Sequence, residues 1–450
     1  MQSSIISRST TAALLIVSAV IFSRCYRING SQVIEASTEG SPGEIDKSFG
    51  VAGLVYGATQ CLQPYKWSLS LQSTGHILAA GTICEGGDTK FALFRYNSDG
   101  TPDADFGQSG MRAYSINNQA YATASAILSD GSIAMIGSTL AGASWDFSAI
   151  KLKSDGALDG SFGAAGIATI DVTGGNDYAY ALAVGEIDKL YIAGIHEVSA
   201  DRVKAKLVGL APDGTKNLSF GDSGIVTFDG EKFNSFKDVK FASNTLFAVG
   251  SAGDLNEDPS EGFISYSAGR SHRALIAKYS AADGSRVSFK TYEASPKTAT
   301  EFTSMARYGG YIFAAGYKND GTTNTAVMAR IRESDLSLDP SFGENGWATL
   351  NTSLGATKFT SVSVGPDGAI RAAGKIADTP STKDTSTIIA AYDSLGRANT
   401  NWANAGLSYD LTKNFNHYGT STIFRADGST ITAGPAAAGN QYGVSIMRNF

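Results

Sequence analysis

An acidic segment carries the residues whose spacing comes closest to a known ligand pattern. Asp254, Asn256 and Asp258 have the alternating spacing of calcium-binding loops, in which carboxylate and amide oxygens hold the ion. Pro259 stands where such loops have glycine, and Ser265 stands where they have the closing glutamate. The segment is therefore more typical of a solvated acidic loop, and calcium is only a weak candidate ligand.

Residues for other chemistry are sparse. The sequence contains no His-Glu-x-x-His, no Gly-x-Ser-x-Gly and no phosphate-binding Gly-Lys loop. The four histidines are scattered at His76, His196, His272 and His417. The sequence thus predicts no catalytic residue and no cofactor beyond that weak calcium candidate. Paired carboxylates that folding brings together would not be visible at this level.

A repeated turn organises most of the chain. Its clearest copy, residues 155–166, reads Asp-Gly-Ala-Leu-Asp-Gly-Ser-Phe-Gly-Ala-Ala-Gly. Asp-Gly permits the positive φ of a tight hairpin turn, and the aromatic is a large apolar anchor that can pack between neighbouring units. The marker aromatics of the copies lie between 53 and 69 residues apart and are Phe49, Phe106, Phe162, Phe220, Phe289, Phe342 and Trp402. A period of this length is typical of a propeller.

These repeats resemble the delta-60 repeat family, a bacterial repeat of secreted and surface proteins. The resemblance covers about residues 43–450 and depends on the Leu-Asp-x-Ser-Phe-Gly-x-x-Gly turn and on an Asp-Gly-x-Ile-x-x-x-Gly hairpin. It implies a β-propeller-like fold. It implies no activity, because the family is defined by its repeat.

Four strand signals, here called a to d, recur in each unit. In one unit they are residues 121–127, 133–137, 147–152 and 166–170, with turn residues between them. Strand b recurs seven times, at 77–81, 133–137, 190–194, 246–250, 312–316, 370–374 and 431–434. We therefore expect an all-β fold, a seven-bladed β-propeller of four-stranded antiparallel blades. An open solenoid is the alternative architecture.

The two ends of the repeat region complement each other. The chain finishes with residues 442–448, which match strand c and have no marker after them, whereas residues 46–56 are a marker and a strand d with no strands before them. The N-terminal strand is therefore expected to join the last blade and close the propeller.

The first residues read as an export signal. Residues 1–24 contain Arg8 and then a short apolar run, so they predict an export signal or an N-terminal anchor, residues 25–42 a linker, and residues 43–450 the propeller. Cys25 raises lipid attachment as an alternative, although Arg24 fits a lipoprotein cleavage site poorly. The expected location is extracytoplasmic, with the protein secreted, periplasmic or attached to the cell surface. Contact with a membrane is expected only through the N-terminus, and only if that end is lipidated or uncleaved.

Strand order assigns the connections to two faces. The a–b and c–d turns, with their uniform Asp-Gly sequences, share one face, which we call the turn face. The d–a and b–c loops differ between units, for example at 139–146, 171–177 and 375–385, and share what we call the loop face. Cys61 and Cys84 are both expected on the loop face of one blade, so they are disulfide candidates in an exported protein, with two free thiols as the alternative.

These observations favour an exported, non-catalytic propeller scaffold that binds a protein or glycan partner through the loop face. The net charge of −6 and the absence of a basic patch argue against nucleic acid. One alternative is a propeller enzyme, either acting on glycans or working as a quinone-dependent dehydrogenase. A purely structural component of the cell envelope is another.

Overall fold

The computed structural model describes residues 41–450 apart from gaps at 52, 59–60, 62–65, 173, 200–201, 254–256, 259–264, 267–271, 297, 353–354, 378–384, 410–414 and 439–440. The chain divides into Met1–Ser37 and Thr38–Phe450, and all of the described residues belong to the second part. The expected export segment, Cys25 and nearly all of the expected linker lie outside the described residues. Within the described residues, no helix has the length and apolarity needed to span a bilayer.

The described chain is all-β, which confirms the predicted fold class at that level. Its first nine strands are β1 (Leu54–Ala58), β2 (Ser68–Leu71), β3 (Ile77–Glu85), β4 (Asp88–Tyr96), β5 (Met111–Tyr114), β6 (Ala120–Ile127), β7 (Ile133–Ala141), β8 (Ser144–Leu152) and β9 (Ile167–Ile170). Strands β2 to β5 form one antiparallel sheet in chain order, and β6 to β9 form a second. Each sheet contains the expected run of strands a, b, c and d.

The middle of the chain continues this pattern. It contains β10 (Asn176–Val184), a 3-10 turn (Glu186–Asp188), β11 (Leu190–Ser199), β12 (Arg202–Leu210), β13 (Ile225–Thr227), β14 (Phe233–Ala242), β15 (Thr245–Gly253), β16 (Glu257–Asp258), β17 (Ser265–Tyr266), β18 (His272–Ser280) and β19 (Arg286–Tyr292). Strands β10 to β13 and strands β14, β15, β18 and β19 are two antiparallel groups. A parallel bridge between Val203 and Phe233 joins them into an eight-stranded sheet. Strands β16 and β17, which lie between β15 and β18 in the chain, pair with each other.

Three further sheets complete the described chain. Their strands are β20 (Ala299–Tyr308), β21 (Tyr311–Asn319), β22 (Asn324–Arg332), β23 (Trp347–Thr349), β24 (Ala356–Val364), β25 (Ile370–Ala377), β26 (Thr385–Tyr392), β27 (Leu407–Tyr409), β28 (Phe415–His417), β29 (Ser421–Phe424), β30 (Thr430–Ala438) and β31 (Gln441–Asn449). Strands β20 to β23 and β24 to β27 form four-stranded sheets in chain order. The last sheet contains β28 and β29 beside β30, then β31, then β1.

The first strand extends the last sheet. Strand β1 pairs antiparallel with β31, from Leu54 opposite Met447 to Ala58 opposite Gly443. The first complete sheet also contacts the last one, because the Trp67 amide donates to Thr420 Oγ1 at 3.0 Å. Residues that are more than 350 positions apart in the chain are therefore hydrogen-bonded neighbours.

The second Asp of the repeated turn holds that turn by side-chain hydrogen bonds. Asp159 Oδ1 accepts from the Ser161 amide at 3.1 Å and from the Ser161 hydroxyl at 2.7 Å. The other copies make the same kind of bond from Asp46, Asp103, Asn217, Asp339 and Asn399. A side chain that satisfies a nearby amide stabilises a bend of this kind, as the sequence predicts.

The marker aromatic packs under the next Asp-Gly turn. Phe106 is almost fully buried, and Gly156 of the following turn has φ +82°. A Cβ placed on Gly156 would lie only 2.5 Å from the Phe106 ring, so the turn requires glycine both for its backbone angle and for this contact. The same contact joins Phe49 to Gly100, Phe162 to Gly214 and Phe342 to Gly396. One repeat thus anchors the next.

The repeat copy that contains Phe289 departs from this arrangement. The Phe289 side chain is 46% exposed, whereas the other six marker aromatics are at most 2% exposed. In the following turn Leu336 occupies the place of the glycine, with φ +57° and no exposed surface. Leu336 therefore fills the volume that a buried aromatic takes elsewhere. Tyr292 also donates to the Leu336 carbonyl at 2.5 Å, as Tyr114 does to Gly156 in a regular copy.

Small hydroxyl residues on strand a tie neighbouring sheets together. Ser68 Oγ accepts from the Ser125 amide at 3.1 Å, and Ser361 Oγ accepts from the Thr422 amide at 2.9 Å. Asp238 takes the same position in strand β14 and accepts from the Met305 amide at 2.8 Å. At this repeated position of strand a, β14 therefore has a carboxylate where the other sheets have small residues.

Candidate functional site

Polar and aromatic side chains gather where strands a and c begin and strand b ends, on the loop face. In an antiparallel sheet these positions lie at one end. They differ between units, in contrast to the repeated turns at the opposite end. We describe four groups of residues on this face.

Three aromatic rings form the first group, which we call the aromatic row. Tyr121 begins strand β6, Trp145 begins β8, and Tyr178 begins β10. The Tyr121 and Trp145 rings are stacked with centroids 4.9 Å apart, and the Trp145 and Tyr178 centroids lie 6.4 Å apart. All three side chains are half-buried. Burial raises the pKa of Tyr178 to about 12, with the Glu197 charge adding to the effect, so its hydroxyl is neutral at ordinary pH.

Three carboxylates beside that row form the second group. Asp146 follows Trp145, Asp171 directly follows β9, and Asp177 is the second residue of β10. One oxygen of each lies within 4.8 Å of the others. Asp177 is held by His196 Nδ1, which donates to Oδ1 at 2.8 Å. Burial raises the pKa of Asp146 to about 6, and the charges of Asp171 and Asp177 contribute in the same direction.

A third group surrounds the buried Glu301 at the start of β20. Tyr317 donates to Glu301 Oε2 at 2.7 Å, and Lys237 Nζ lies 3.9 Å from Oε1. Lys358 Nζ lies 4.2 Å from the centre of the Tyr317 ring. Burial lowers the pKa of the neighbouring His272 to about 4, which keeps that imidazole neutral. The group combines a carboxylate, a phenol and two ammonium groups.

Lys66 adjoins this third group. Its Nζ donates to the Tyr180 carbonyl at 3.0 Å, which links the start of the first complete sheet to β10. Burial lowers the pKa of Lys66 to about 8; the Asp238 carboxylate opposes this shift, and Lys240 and Lys237 reinforce it. A substantial neutral fraction is therefore present at mildly alkaline pH.

An open cleft forms the fourth group. It has a volume of about 600 Å³ and lies between the end of β11 and the start of β12 on one side and the segment before β14 on the other. Its charged lining comprises Arg202, Lys204, Glu231 and Lys232. Lys204 Nζ lies 3.3 Å from an Asp229 carboxylate oxygen, and Glu231 pairs with Arg273 at 2.9 Å. Arg202 and Lys232 are exposed, so the cleft presents positive charge to solvent.

The structure brings together some of the residues singled out from the sequence, and others lie outside the described residues. The structure joins Cys61 and Cys84 as a disulfide, with their Cα atoms 4.8 Å apart. Asp254 and Asn256 lie outside the described residues, and of Asp258 only the backbone, in β16, is described. The calcium candidate in this loop therefore stays a prediction.

The histidines are distributed over different environments. His196 joins the carboxylates, His272 adjoins Glu301, and His76 lies at a turn 3.5 Å from Asp103. The His417 side chain is outside the described residues. Sequence reasoning missed the aromatic row and the three carboxylates as groups. It did single out 139–146 and 171–177, the loops that supply or flank these residues, because they vary between units.

Comparison with known families supports a β-propeller repeat family. A family described as "domain of unknown function (DUF5122) beta-propeller" matches residues 72–106 and 128–162. Each matched stretch begins at an a–b turn and ends at a marker aromatic, Phe106 in one case and Phe162 in the other. The match, together with the antiparallel four-stranded sheets, agrees with the predicted propeller class. No curated protein matches the sequence.

Several solved structures match most of this chain at low sequence identity. A catalytically inactive virginiamycin B lyase from Staphylococcus aureus is 9% identical, with 88% of this chain and 98% of that chain covered and a TM-score of 0.47. A polysaccharide lyase described as an ulvan lyase is 9% identical, with coverages of 86% and 93% and a TM-score of 0.48. An α-L-arabinofuranosidase from Fusarium graminearum is 12% identical, with coverages of 92% and 98% and a TM-score of 0.44.

Proposed function

We propose that residues 43–450 form a closed, seven-bladed propeller of the delta-60 repeat kind. The pairing of β1 with β31 supports this, as do the hydrogen bonds from Trp67 and Leu69 to Thr420 and Ser421. The eight-stranded sheet counts as two blades because its halves repeat the a-to-d order and share a single parallel bridge. The four simple sheets and the last sheet bring the count to seven.

The propeller acts as an exported, non-catalytic scaffold that binds a glycan through the loop face. The aromatic row carries this proposal. Half-buried aromatic rings bury apolar area at a low entropy cost, and the ring surface outside the contact between Tyr121 and Trp145 can pack against the apolar face of a sugar. The row also has hydrogen-bonding neighbours, since Asn176 accepts from the Trp145 amide at 3.1 Å and donates to Glu197 at 2.9 Å.

The open cleft, which presents positive charge to solvent, indicates which class of glycan the protein binds. Arg202 and Lys232 present charge on the same face as the aromatic row, and Arg side chains bind carboxylate or sulfate groups through paired donors. The preferred ligand is therefore an acidic polysaccharide rather than a neutral one. An extracytoplasmic location agrees with a disulfide between Cys61 and Cys84, since such bonds persist in oxidising compartments.

The Trp145→Ala variant tests the binding proposal. Loss of a central aromatic anchor is expected to weaken binding by about 2 kcal/mol, or roughly thirtyfold in Kd. A glycan array identifies ligands of the wild-type protein, and titration of the strongest acidic glycan measures Kd. Tyr308→Ala is the matched control, because Tyr308 is a partly exposed aromatic at an a–b turn on the opposite face. Binding that survives in the Trp145 variant but is lost in the Tyr308 variant would contradict the proposal.

The group around Glu301 and Lys66 favours a second candidate, a propeller enzyme acting on glycans. Lys66 has a lowered pKa and lies near the Asp238 carboxylate, so its neutral amine could serve as a general base. Release of reducing ends from acidic polysaccharides separates the two functions. Turnover by the wild-type protein that disappears in Lys66→Met would replace the binding proposal with the enzyme.

A further inference from the structure

Asp146, Asp171 and Asp177 come from two different sheets and meet at one point of the loop face. Asp146 lies in β8 beside its b–c turn, Asp171 directly follows β9, and Asp177 is the second residue of β10. One oxygen of each lies within 4.8 Å of the others. Three like charges this close repel one another, so a partner of opposite charge would stabilise the arrangement.

Two of the three carboxylates have hydrogen bonds that hold their position. Asp177 accepts from His196 at 2.8 Å and from the Val172 amide at 3.0 Å, and it has no exposed surface. The exposed Asp171 accepts from the Gly174 amide at 2.6 Å. These bonds do not use all of the lone pairs of the two carboxylates, so each can still bind a cation.

Asp146 differs from both. Its residue is only 7% exposed, and its Oδ1 is fully buried without a hydrogen-bond partner among the residues that the structure describes. A buried carboxylate oxygen with no donor costs a substantial part of its desolvation energy. The Asp171 and Asp177 carboxylates, each with an oxygen within 4.8 Å of one of its own, can only accept hydrogen bonds when ionised. A cation at the shared point would compensate all three groups at once.

We propose that Asp146, Asp171 and Asp177 bind one calcium ion. The donors are all carboxylate oxygens, which hard divalent cations prefer. Calcium bonds oxygen at about 2.3–2.6 Å, so two ligands on opposite sides of it stand up to about 5 Å apart, and the observed spread lies within that span. Magnesium requires shorter bonds and a tighter cluster. Waters and backbone carbonyls complete the coordination shell.

The ion would link Asp171 and Asp177, on either side of the connection between β9 and β10, to Asp146 near the start of β8. This site is separate from the acidic loop at 254–258 and does not depend on glycan binding. It adjoins the aromatic row, because Asp146 follows Trp145 and Asp177 precedes Tyr178 in the chain. His196 is a positioning residue that orients Asp177 through its Nδ1 hydrogen bond.

Isothermal titration of the full chain with calcium chloride, after chelator treatment and dialysis, tests the proposal. We expect one ion per chain and a higher Tm with calcium than without it. Asp146→Asn and Asp171→Asn should each raise Kd by at least about tenfold, the loss that even an outer partner of a metal ligand typically causes. Asp171 is exposed, so its variant keeps the test valid if the Asp146 variant misfolds.

Asp88→Asn is the matched control, because Asp88 is an exposed carboxylate at a b–c turn of the same face. It should bind calcium as the wild type does. The proposal is overturned if the wild type takes up no calcium at about 10 mM, above the range of weak extracellular sites. It is also overturned if binding persists in the Asp146 and Asp171 variants, if Asp254→Asn abolishes it instead, or if magnesium binds more tightly than calcium.

Discussion

Phe342→Ala is expected to lower the free energy of unfolding by about 3–5 kcal/mol, the usual cost of removing a buried aromatic. The Phe342 side chain has no exposed surface, lies under the Gly396 turn of the next repeat and meets the Phe313 ring edge-on at 5.8 Å. The φ of Gly396 and its backbone contacts leave little freedom to fill the cavity by collapse. Denaturant unfolding followed by fluorescence measures the loss.

Phe289→Ala is the matched control for this prediction. Phe289 has the same residue type at the same repeat position but is 46% exposed, so its truncation should cost about 1 kcal/mol or less. Equal losses in the two variants would mean that the marker aromatics do not anchor one repeat to the next. Such a result would also contradict the interpretation that Leu336, at the following turn, fills the volume that a buried aromatic takes in the other repeats.

Removal of residues 1–58 is expected to have the largest effect on stability. The deletion takes away β1, the buried Phe49 and Val55, and the Asp46 carboxylate that pairs with Arg448. The combined loss should exceed about 5 kcal/mol, since removing one buried aromatic alone costs about 3–5 kcal/mol. The unpaired edge of β31 should also promote association between chains.

A chain that begins at residue 41 is the control for this deletion, because it keeps β1 and loses only residues outside the described structure. Unfolding midpoints and size-exclusion profiles of the two shortened chains give the comparison. If the chain that begins at residue 59 is as stable and as monomeric as the control, β1 does not contribute to the last sheet in solution.

The repeated sheets could be predicted from the sequence because their determinants are local. The Asp-Gly turn, the following Asp and the aromatic lie within a dozen residues, and each has a direct structural role at Asp159, Phe106 and Gly156. Phe289 departs from the pattern because its neighbours changed too. Its own repeat lacks the later glycines, and the next turn carries Leu336 in place of glycine.

The candidate site could be predicted only as a face. Loops that vary between units pointed to the end of the sheets where these groups lie, but which side chains meet depends on the packing of one sheet against the next. Asp146 and Asp177 are 31 residues apart and belong to different sheets, so no sequence motif joins them. The local calcium pattern at Asp254 drew attention to a different loop.

Hydrogen exchange of the terminal strands tests the central claim most directly, because the propeller exists as a closed ring only if β1 and β31 are paired. The account predicts that amides in peptides covering 54–58 and 441–449 exchange as slowly as those of β8, which is also paired on both sides. Rapid exchange of β1, together with edge-like exchange of β31, would contradict it.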